Sequence, residues 1–598
     1  MTQTKNEATD GPGPDGVTAG WSSAVKQFEE HMRAHLGTAT GGLALDDYLA
    51  AFADWSSRLG GRADKVAELG ASAAAKLADT LQFAGRALQP AALDPAAGGQ
   101  PAEGAAWQHW PFNVYARTWN NVAAWYEEAL GAAPGVSPEN AQRLSFARTQ
   151  LLEAFSPRNY LATNPEVLEQ TRAEGGQNLL RGYRHMMEDA ARALIGPEVG
   201  TKTGPKVERD SPFEVGRDVA LTPGSVVLRN RVLELIQYAP STASVYAEPI
   251  LIVPAWIMKY YILDLSAATS LVRYLVERGH TVFVISWKNP TSEDRGVGFA
   301  DYVDLGFRQA LDAVTRILPD RRVHSVGYCI GGTLLAIAAA DLAAAHDGRL
   351  ASATILAGQT DFAEPGDLSL FISPSQLKTL DALMAKRGVL ESEAMSGAFK
   401  LLRSKEQLWT PAVDRYLRGR RDKPSELMAW NADGTRMPRR MLSEYLERLY
   451  LRNDLANGRL EMNHRRIDLS KLELPLFVVG TETDHVAPWR SVYKARGLVR
   501  SPDYTFLLTS GGHNAGIVSG PENPKRRHRV LTWTDATSTL APDAWLAKAE
   551  LRQGSWWPSW ATWLADHSSP TRVPPPPMGD PAAGLAPLGP APGTYVFG

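Results

Sequence analysis

The chain has 598 residues, more than one hydrophobic core usually supports, so its length predicts two domains with additional tails or insertions. Hydrophobic residues make up 44% and charged residues 21%, which is ordinary for a folded globular protein. The 63 basic and 65 acidic side chains nearly cancel, which argues against nucleic acid as a partner. The single cysteine excludes an internal disulfide and a cysteine-cluster metal site, and suits a reducing cytoplasm.

The start of the chain and its apolar runs predict neither export nor a membrane span. Residues 1–16 lack the basic and apolar regions of a secretory signal. The Ala-rich run at residues 334–345 is shorter than the roughly 20 apolar residues that a bilayer requires, and Asp341 interrupts it. We therefore expect a cytoplasmic protein without a transmembrane segment.

The first third of the chain has a helical pattern. Residues 1–20 are polar and predict a disordered tail, whereas residues 21–210 predict a helical N-terminal domain. Within it, residues 89–105 consist almost wholly of Ala, Pro, Gly, Asp and Gln, which indicates a linker. Gly, Pro and mixed charge at residues 196–212 mark the approximate domain boundary. One set of apolar residues shows the helical spacing clearly: Leu45, Tyr48, Phe52, Trp55 and Leu59.

Residues 211–567 change to short β-branched runs that alternate with helical segments. This rhythm is typical of βαβ units and a largely parallel sheet. Helices long enough to cross over the sheet are predicted near residues 267–278, 302–318 and 332–345. The predicted strands are residues 250–254, 281–286, 323–328, 352–357, 476–480 and 504–508.

Residues 362–471 interrupt this alternation with aromatic-rich, mainly helical sequence that has no clear strand. An insertion after a sheet strand commonly forms a cap over an active site. Residues 568–598 are rich in Pro and Gly, and we expect them to form a loose tail. The tryptophans just before that tail are expected to pack against the body of the domain: Trp556, Trp557, Trp560 and Trp563.

The strongest local signal surrounds Cys329. A predicted strand runs into Gly327-Tyr-Cys329-Ile-Gly331 and then directly into an Ala/Leu-rich helix, which is a nucleophile elbow with Cys in place of Ser. The helix directs its N-terminal amides at the sulfur, favours the thiolate, and offers the Ile330 N–H to an oxyanion. A lone cysteine outside such a turn is usually an inert, buried side chain. The turn therefore indicates a nucleophile.

An acid and a base follow in the chain order that such an elbow requires. Asp484 lies in the loop after the strand at 476–480, and His513 lies in the loop after the strand at 504–508. We assign Asp484 as the acid and His513 as the base. Glu482 and Asp361 compete as acids, and His485 competes as base, although carboxylates and histidines in such loops often only brace a turn.

These signals together predict an α/β-hydrolase fold with a cap insertion at about 362–471, preceded by an all-helical N-terminal domain. Sulfur as the nucleophile favours acyl transfer over hydrolysis, because exchange of one thioester for another keeps the acyl group activated. A cysteine-dependent thioesterase remains open, since the elbow and its partners do not set the acceptor.

Several blocks of the sequence, taken with the elbow, resemble the bacterial polyhydroxyalkanoate synthases, in particular the long class I type. The resemblance runs from about residue 107 to 573, and the ordered set of blocks is specific to that family. The matching blocks are SPRN at 156–159, NPE at 164–166, GQNL at 176–179, VPAW at 253–256, ISWKNP at 285–290, WNADGT at 430–435, DHVAPW at 484–489, GGH at 511–513 and GSWWP at 554–558.

The resemblance implies that an (R)-3-hydroxyacyl-CoA, typically 3-hydroxybutyryl-CoA, acylates Cys329 and is joined to a growing polyester. It implies His513 as the proton acceptor and Asp484 as its partner, with no metal and no cofactor besides the CoA substrate. It also implies a granule-associated cytoplasmic homodimer. The alternatives are a thioesterase or depolymerase of the same fold and a non-catalytic granule-associated protein. Ala255 stands where the family pattern has a second proline, next to the expected second oxyanion donor, and the residues around His513 also differ slightly from the commonest members.

Two weaker sets of residues are open to a functional reading. Lys259, Lys288 or residues 525–527 could contact CoA phosphates, although charge runs are usually solvated faces. The aromatic side chains Trp430, Tyr445 and Tyr450 of the insertion could line a polymer exit or a dimer face, although core packing is the more common role of such residues.

Overall fold

The computed structural model describes residues 42–88, 104–195, 213–421 and 423–598. The predicted tail at 1–20, linker residues 89–103 and the boundary at 196–212 lie outside the described residues. The described part of the N-terminal region is helical, as predicted. Its helices are α1 (Leu45–Gly60), α2 (Ala63–Ala87), α3 (Phe112–Gly131), α4 (Pro138–Ala154), α5 (Pro165–Ala173) and α6 (Gln177–Ile195).

Local sequence explains where two of these helices begin. The Ser137 side chain accepts a hydrogen bond from the Asn140 N–H, and Asn164 does the same for the Val167 N–H. A proline follows each cap at the first helical position, where its missing N–H costs nothing.

The portion of the chain after residue 213 is built on an eleven-stranded sheet. The strand order is β10-β9-β8-β7-β6-β5-β3-β4-β2-β1-β11, and the central run from β8 to β4 is parallel. The strands are β1 (Gly224–Arg229), β2 (Leu233–Tyr238), β3 (Ile250–Val253), β4 (Val282–Trp287), β5 (Val323–Tyr328), β6 (Leu350–Leu356), β7 (Leu476–Thr481), β8 (Tyr504–Thr509), β9 (Arg527–Trp533), β10 (Glu550–Gln553) and β11 (Gly589–Pro590).

All six predicted strands form the parallel centre of this sheet. Every residue of these strands is buried, because helices cover both faces, and this burial explains their continuous apolar character. The outer antiparallel strands were not predicted from the sequence. All four residues of β10 are exposed, and β11 has only two residues. β2 is buried throughout, but Glu234 and Gln237 interrupt its apolar residues, so it has no continuous apolar run.

Helices pack on both sides of the sheet. The crossover after β4 contains a π-helical segment, Tyr302–Arg308, which continues directly into the α-helix α8 (Gln309–Ile317). Together they form the helix that was predicted at 302–318. Besides the three-residue helical turns Phe299–Asp301 and Thr410–Ala412, the α-helices that follow residue 213 lie either outside or within the cap. Those outside the cap are α7 (Leu271–Glu277), α8 (Gln309–Ile317), α9 (Ile330–Ala344), α14 (Trp489–Tyr493), α15 (Ala495–Leu498), α16 (Pro542–Lys548) and α17 (Trp557–Asp566), and those of the cap are α10 (Pro374–Arg387), α11 (Ser392–Leu402), α12 (Glu426–Ala432) and α13 (Arg439–Tyr445).

The cap is mainly helical, but the expectation that it contains no strand is wrong. It holds two short antiparallel ribbons, Val389–Leu390 with Met437–Pro438 and Glu461–Met462 with Arg465–Arg466. Strands of two residues are too short to show the alternation by which strands are recognised in a sequence. After α13 the helix continues as a π-helical turn over Leu446–Leu451.

The N-terminal helices dock on the cap. The Asn178 side chain of α6 donates to the Leu417 carbonyl at 2.8 Å, and Asp189 receives Arg415 at 2.6 Å and the Tyr416 hydroxyl at 2.9 Å. A Cβ at Gly182 would lie 1.8 Å from the Tyr416 carbonyl oxygen, so glycine permits this close approach. The N-terminal region and the cap are therefore packed against one another.

The C-terminal tail is not loose, which corrects the expectation for residues 568–598. Its strand β11 pairs with β1, and Val596 is buried. Glu234 of β2 is fully buried and accepts hydrogen bonds from the Thr594 and Tyr595 N–H groups at 2.8 and 2.9 Å. A buried carboxylate needs such donors, and the tail supplies them. The tryptophans before the tail pack into the core, as predicted: Trp556, Trp557, Trp560 and Trp563.

Across the described part of the chain, no helix combines the length and the apolar character that a bilayer crossing requires.

Candidate active site

Cys329 lies at a strained turn between β5 and α9. Its φ of 55° and ψ of −126° are rarely adopted by residues other than glycine, and such strain is typical of a nucleophile elbow. A Cβ at Gly327 would lie 2.5 Å from the Gly331 carbonyl oxygen, and one at Gly331 would lie 2.2 Å from the Val253 carbonyl oxygen. The two glycines are therefore required by close backbone packing, which is the reason that the motif has this form.

The backbone around the elbow offers donors for an oxyanion. Ile330 is the first residue of α9, so its N–H takes no part in the intrahelical ladder. The carbonyl groups of Val253 and Pro254 border Gly331, so the loop after β3 passes directly beside the nucleophile. Negative charge that develops next to Cys329 would thus meet the N-terminus of a fifteen-residue helix.

The structure brings Asp484 and His513 together. Nδ1 of His513 and Oδ2 of Asp484 are 2.7 Å apart, and the Asp484 side chain is fully buried. Asp484 also accepts hydrogen bonds from the Thr481 hydroxyl at 2.8 Å and from the Val486 and Ala487 N–H groups at 2.9 Å. Burial alone would raise the pKa of Asp484, but the charge of His513 and these hydrogen bonds lower it below its ordinary value.

The His513 ring lies beside the nucleophile, where its charged neighbours favour the protonated form. Burial opposes its charge, but Asp484 and the neighbouring Cys329 outweigh burial and hold the pKa of His513 well above its ordinary value. Among the described residues, Nε2 of His513 has no partner that meets the usual distance and angle limits of a hydrogen bond. It is therefore available to Cys329 or to a substrate. A protonated ring beside the sulfur stabilises negative charge on it.

The competing residues are engaged elsewhere. Glu482 pairs with Arg527 at 3.1 Å, and Asp361 accepts a hydrogen bond from Asn453 at 2.9 Å. The histidine that hydrogen-bonds to Asp484 is His513 and not His485, whose pKa is lowered by burial and by the charge of Arg403. Among the acids and bases proposed from the sequence, the structure joins only Asp484 and His513 into a pair.

The cap places aromatic side chains over the nucleophile. Tyr445 makes edge contacts with Trp256, in the loop after β3, and with Phe362, in the loop after β6. Because β3 and β6 flank β5 in the sheet, these contacts place Tyr445 above the elbow. Tyr450 packs on Phe362 at 4.8 Å, with its hydroxyl 3.5 Å from that of Tyr445.

The aromatic residues of the cap pack in the core and also lie near the nucleophile. Core packing was the expected role, and Trp430 and Tyr445 are buried in the core. The charge of Cys329 contributes to the raised pKa of both Tyr445 and Tyr450, behind the larger effect of burial, so both rings belong to the surroundings of the nucleophile as well. Phe362 had no signal in the sequence, and Trp256 was noted only as part of the VPAW block, because their contacts with Tyr445 join distant segments.

The basic residues considered for CoA binding have partners within the protein. Lys259 is buried, and its Nζ donates to the Gly598 carbonyl oxygen at 2.5 Å. Lys288 pairs with Asp294 at 3.0 Å, and Arg526 donates to the Ala515 carbonyl oxygen at 2.7 Å.

Cys329 lies in a closed site, where it is 9% exposed. Two cavities of about 300 and 330 Å³ open elsewhere on the described surface. The first borders Asp264 and Arg273, the second borders Phe477 and Arg552, and neither is lined by Cys329 or its partners.

Two family models match this chain, one in its N-terminal region and one in the region of the large sheet. Residues 102–275 match the family model described as the poly-beta-hydroxybutyrate polymerase (PhaC) N-terminus, and residues 248–519 match the alpha/beta hydrolase fold. The second match and the sheet described above confirm the predicted fold.

Curated relatives resemble this chain over most of its length. It is 39% identical over 532 residues to a poly(3-hydroxyalkanoate) polymerase of Methylorubrum extorquens, covering 88% of this chain and 86% of the relative. It is 37% identical over 473 residues to poly(3-hydroxyalkanoate) polymerase subunit PhaC of Cupriavidus necator, covering 78% and 77%. The corresponding subunit of Rhizobium meliloti is 36% identical over 472 residues, covering 79% and 75%. Similarity at this level over most of both chains shows that this protein belongs to the poly(3-hydroxyalkanoate) polymerase family and is an acyltransferase of that family.

Proposed function

We propose that the protein polymerises (R)-3-hydroxyacyl-CoA, with 3-hydroxybutyryl-CoA as the expected monomer, through a thioester on Cys329. The observation that carries this proposal is the strained Cys329 beside a His513 ring that Asp484 orients at 2.7 Å. Family membership supports the polymerising reaction, and the site supports the covalent route.

In the acylation step, His513 Nε2 holds the proton of the Cys329 thiol while Sγ attacks the carbonyl carbon of the CoA thioester. The oxyanion lies beside the Ile330 N–H at the start of α9. The C–S bond to CoA then breaks, and the proton returns from His513 to the departing CoA sulfur. Asp484 holds the ring in the required tautomer throughout.

Chain growth uses the same residues. The 3-hydroxyl of an incoming hydroxyacyl-CoA attacks the Cys329 thioester, His513 removes the hydroxyl proton, and an ester forms as the thiol is regained. Cys329 then takes the lengthened chain back from its CoA thioester and releases CoA. Since one thioester replaces another, each transfer back to sulfur has a small free-energy cost, and the thioester itself supplies the activation without a metal or a cofactor.

The closed cap supports polymerisation over hydrolysis. Tyr445, Tyr450 and Phe362 cover Cys329, so water has little access to an acyl group on the sulfur. A CoA thioester needs a way in, so the proposal includes opening of the cap between turnovers.

The proposal places the protein in the cytoplasm as a homodimer at the surface of a polyester granule. Large apolar side chains on the N-terminal helices support contact with an apolar surface: Leu49, Phe52, Leu77 and Leu81 are more than half exposed. Sedimentation of the purified chain with and without polyester particles tests both the dimer and the surface contact.

The decisive experiment supplies (R)-3-hydroxyacyl-CoAs of several chain lengths and follows CoA release and polymer size together. We expect polymer in step with CoA release and, in a quenched sample, an acyl adduct on the peptide that contains Cys329. Free hydroxy acid in place of polymer would instead establish the thioesterase alternative. Absence of both CoA release and labelling would leave a non-catalytic granule protein.

A further inference from the structure

Tyr328 and Asn514 are the sequence neighbours of the nucleophile and of the base, and their side chains are joined. The Tyr328 hydroxyl donates a hydrogen bond to Oδ1 of Asn514 at 2.6 Å. Tyr328 ends β5 and is only 2% exposed. Burial, followed by the charges of Cys329 and Asp484, raises the pKa of Tyr328 well above its ordinary value, so its hydroxyl remains a donor.

The tyrosine ring also lies against the imidazole of His513. The ring centroids are 5.8 Å apart and the planes are inclined by 34°. The hydrogen bond to Asp484 fixes only Nδ1, and a ring held at one atom can still tilt about that bond. Contact with Tyr328 restricts this tilt, and with it the direction in which Nε2 points.

The two catalytic side chains come from strands that are not neighbours. In the sheet, β6 and β7 lie between β5 and β8, so Cys329 and the base loop are anchored three strand spacings apart, about 14 Å. The base loop must therefore reach back over two strands to meet the nucleophile. The Tyr328–Asn514 hydrogen bond is a direct side-chain link across that gap.

The Asn514 end of the link is held firmly. The Asn514 carbonyl oxygen accepts hydrogen bonds from the Ile517 and Val518 N–H groups, both at 3.0 Å. The Trp556 indole donates to the Gly516 carbonyl oxygen at 3.1 Å, which ties the turn to the core. A tight turn at one end and a central strand at the other make the link a fixed spacer.

We propose that Tyr328 and Asn514 are positioning residues that set the separation between Cys329 Sγ and His513 Nε2. The inference rests on the proposed covalent role of Cys329. Because Tyr328 and Asn514 act through His513, we expect them to affect the chemical step and not substrate binding.

The test is a double-mutant cycle with Tyr328→Phe, Asn514→Leu and the double variant in the full chain. The matched control is Tyr504→Phe, which removes a hydroxyl that is buried in β8 and has no hydrogen-bond partner among the described residues. We expect each single change to lower kcat about tenfold with KM unchanged within about twofold, and the double variant to lose no more than the worse single one, because both remove the same link. The control keeps full activity.

Losses that multiply to about a hundredfold in the double variant would overturn the proposal, as would a Tyr328→Phe variant that behaves like Tyr504→Phe. Asn514→Leu leaves the buried Tyr328 hydroxyl without an acceptor and could impair folding. A second measurement, on Tyr328→Phe, therefore does not depend on that variant. The rate of Cys329 alkylation by iodoacetamide in Tyr328→Phe should fall severalfold against the control, and an unchanged rate contradicts the link. Alkylation requires no polymer, so it separates failure of this inference from failure of the proposed function.

Discussion

Two buried histidines on or near β5 have opposite properties. His513, above the carboxyl end of the sheet, pairs with Asp484, and its pKa is raised well above the ordinary value. His324, inside β5, lies between the hydroxyls of Ser352 at 2.7 Å and Ser568 at 3.1 Å, and burial lowers its pKa from 6.5 to about 4. Burial opposes the charge at both sites, and at His324 the nearby charge of Glu248 does not offset it. The difference follows from the hydrogen-bonded partner, which is a pair of neutral hydroxyls at His324 and an ionised carboxylate at His513.

The largest effect on the catalytic side of this comparison should come from removing the nucleophile. Cys329→Ala leaves the elbow glycines and the Asp484–His513 pair in place but offers no atom to acylate. We expect turnover to fall by about 10,000-fold or more, measured as CoA release from 3-hydroxybutyryl-CoA. Polymer formation by this variant at a rate near that of the unmodified chain would end the proposed mechanism.

Replacing the base should have the next largest effect. His513→Gln keeps the size of the side chain but removes the proton acceptor, and we expect kcat to fall by about 1,000-fold. The matched control is His324→Gln, which changes a fully buried histidine in the strand that leads to Cys329. Once corrected for the folded fraction, the control should retain most of its kcat, and equal losses in the two variants would erase the distinction between them.

The structural histidine should reveal itself in stability. In the folded protein His324 stays neutral down to about pH 4, whereas in the unfolded chain it binds a proton below about pH 6.5. Its contribution is therefore fully present above pH 6.5 and is lost as the pH falls from 6.5 to 4, by about 3 kcal/mol. Chemical unfolding of the unmodified chain and of His324→Gln across this range measures it. Between pH 6.5 and 4 the free energy of unfolding should fall less in His324→Gln, by about that amount. Two parallel plots of unfolding free energy against pH would refute the assignment of His324 as a buried neutral histidine.

The smallest effect should come from His485, which is adjacent to the acid in sequence but is not the histidine that hydrogen-bonds to it. Burial and Arg403 lower its pKa, and the Asp484 carboxylate orients His513 instead. We expect His485→Gln to change kcat by less than about threefold. A loss as large as that of His513→Gln would show that the wrong histidine had been assigned.

The sequence predicts the parts of this protein that depend on local pattern. The six parallel strands are continuous apolar runs, and the elbow around Cys329 carries its own glycines. Asp484 and His513 were predicted because chain order alone places them after neighbouring strands. Each of these signals lies within a few residues.

The parts that could not be predicted depend on contacts between distant segments. Tyr445 reaches over the elbow from a cap helix more than a hundred residues away in sequence, and it contacts Trp256 and Phe362 from two other loops. The tail after residue 568 has a loop-like composition, yet the buried carboxylate of Glu234 holds it in place. Composition indicates how a segment behaves on its own, whereas the conformation of this tail depends on its hydrogen bonds to Glu234.

The pairing of β11 with β1 also affects how the protein avoids aggregation. A sheet of this size has two outer strands, each with backbone groups that could recruit another molecule. At one end β10 carries exposed charged residues, including Glu550 and Arg552, which discourage pairing. At the other end, β1 has no such protection of its own, and the tail covers it at Ser225 and Val226. A chain cut before residue 589 would expose this strand, and the truncated protein would then tend to assemble edge to edge, even though its catalytic residues remain intact.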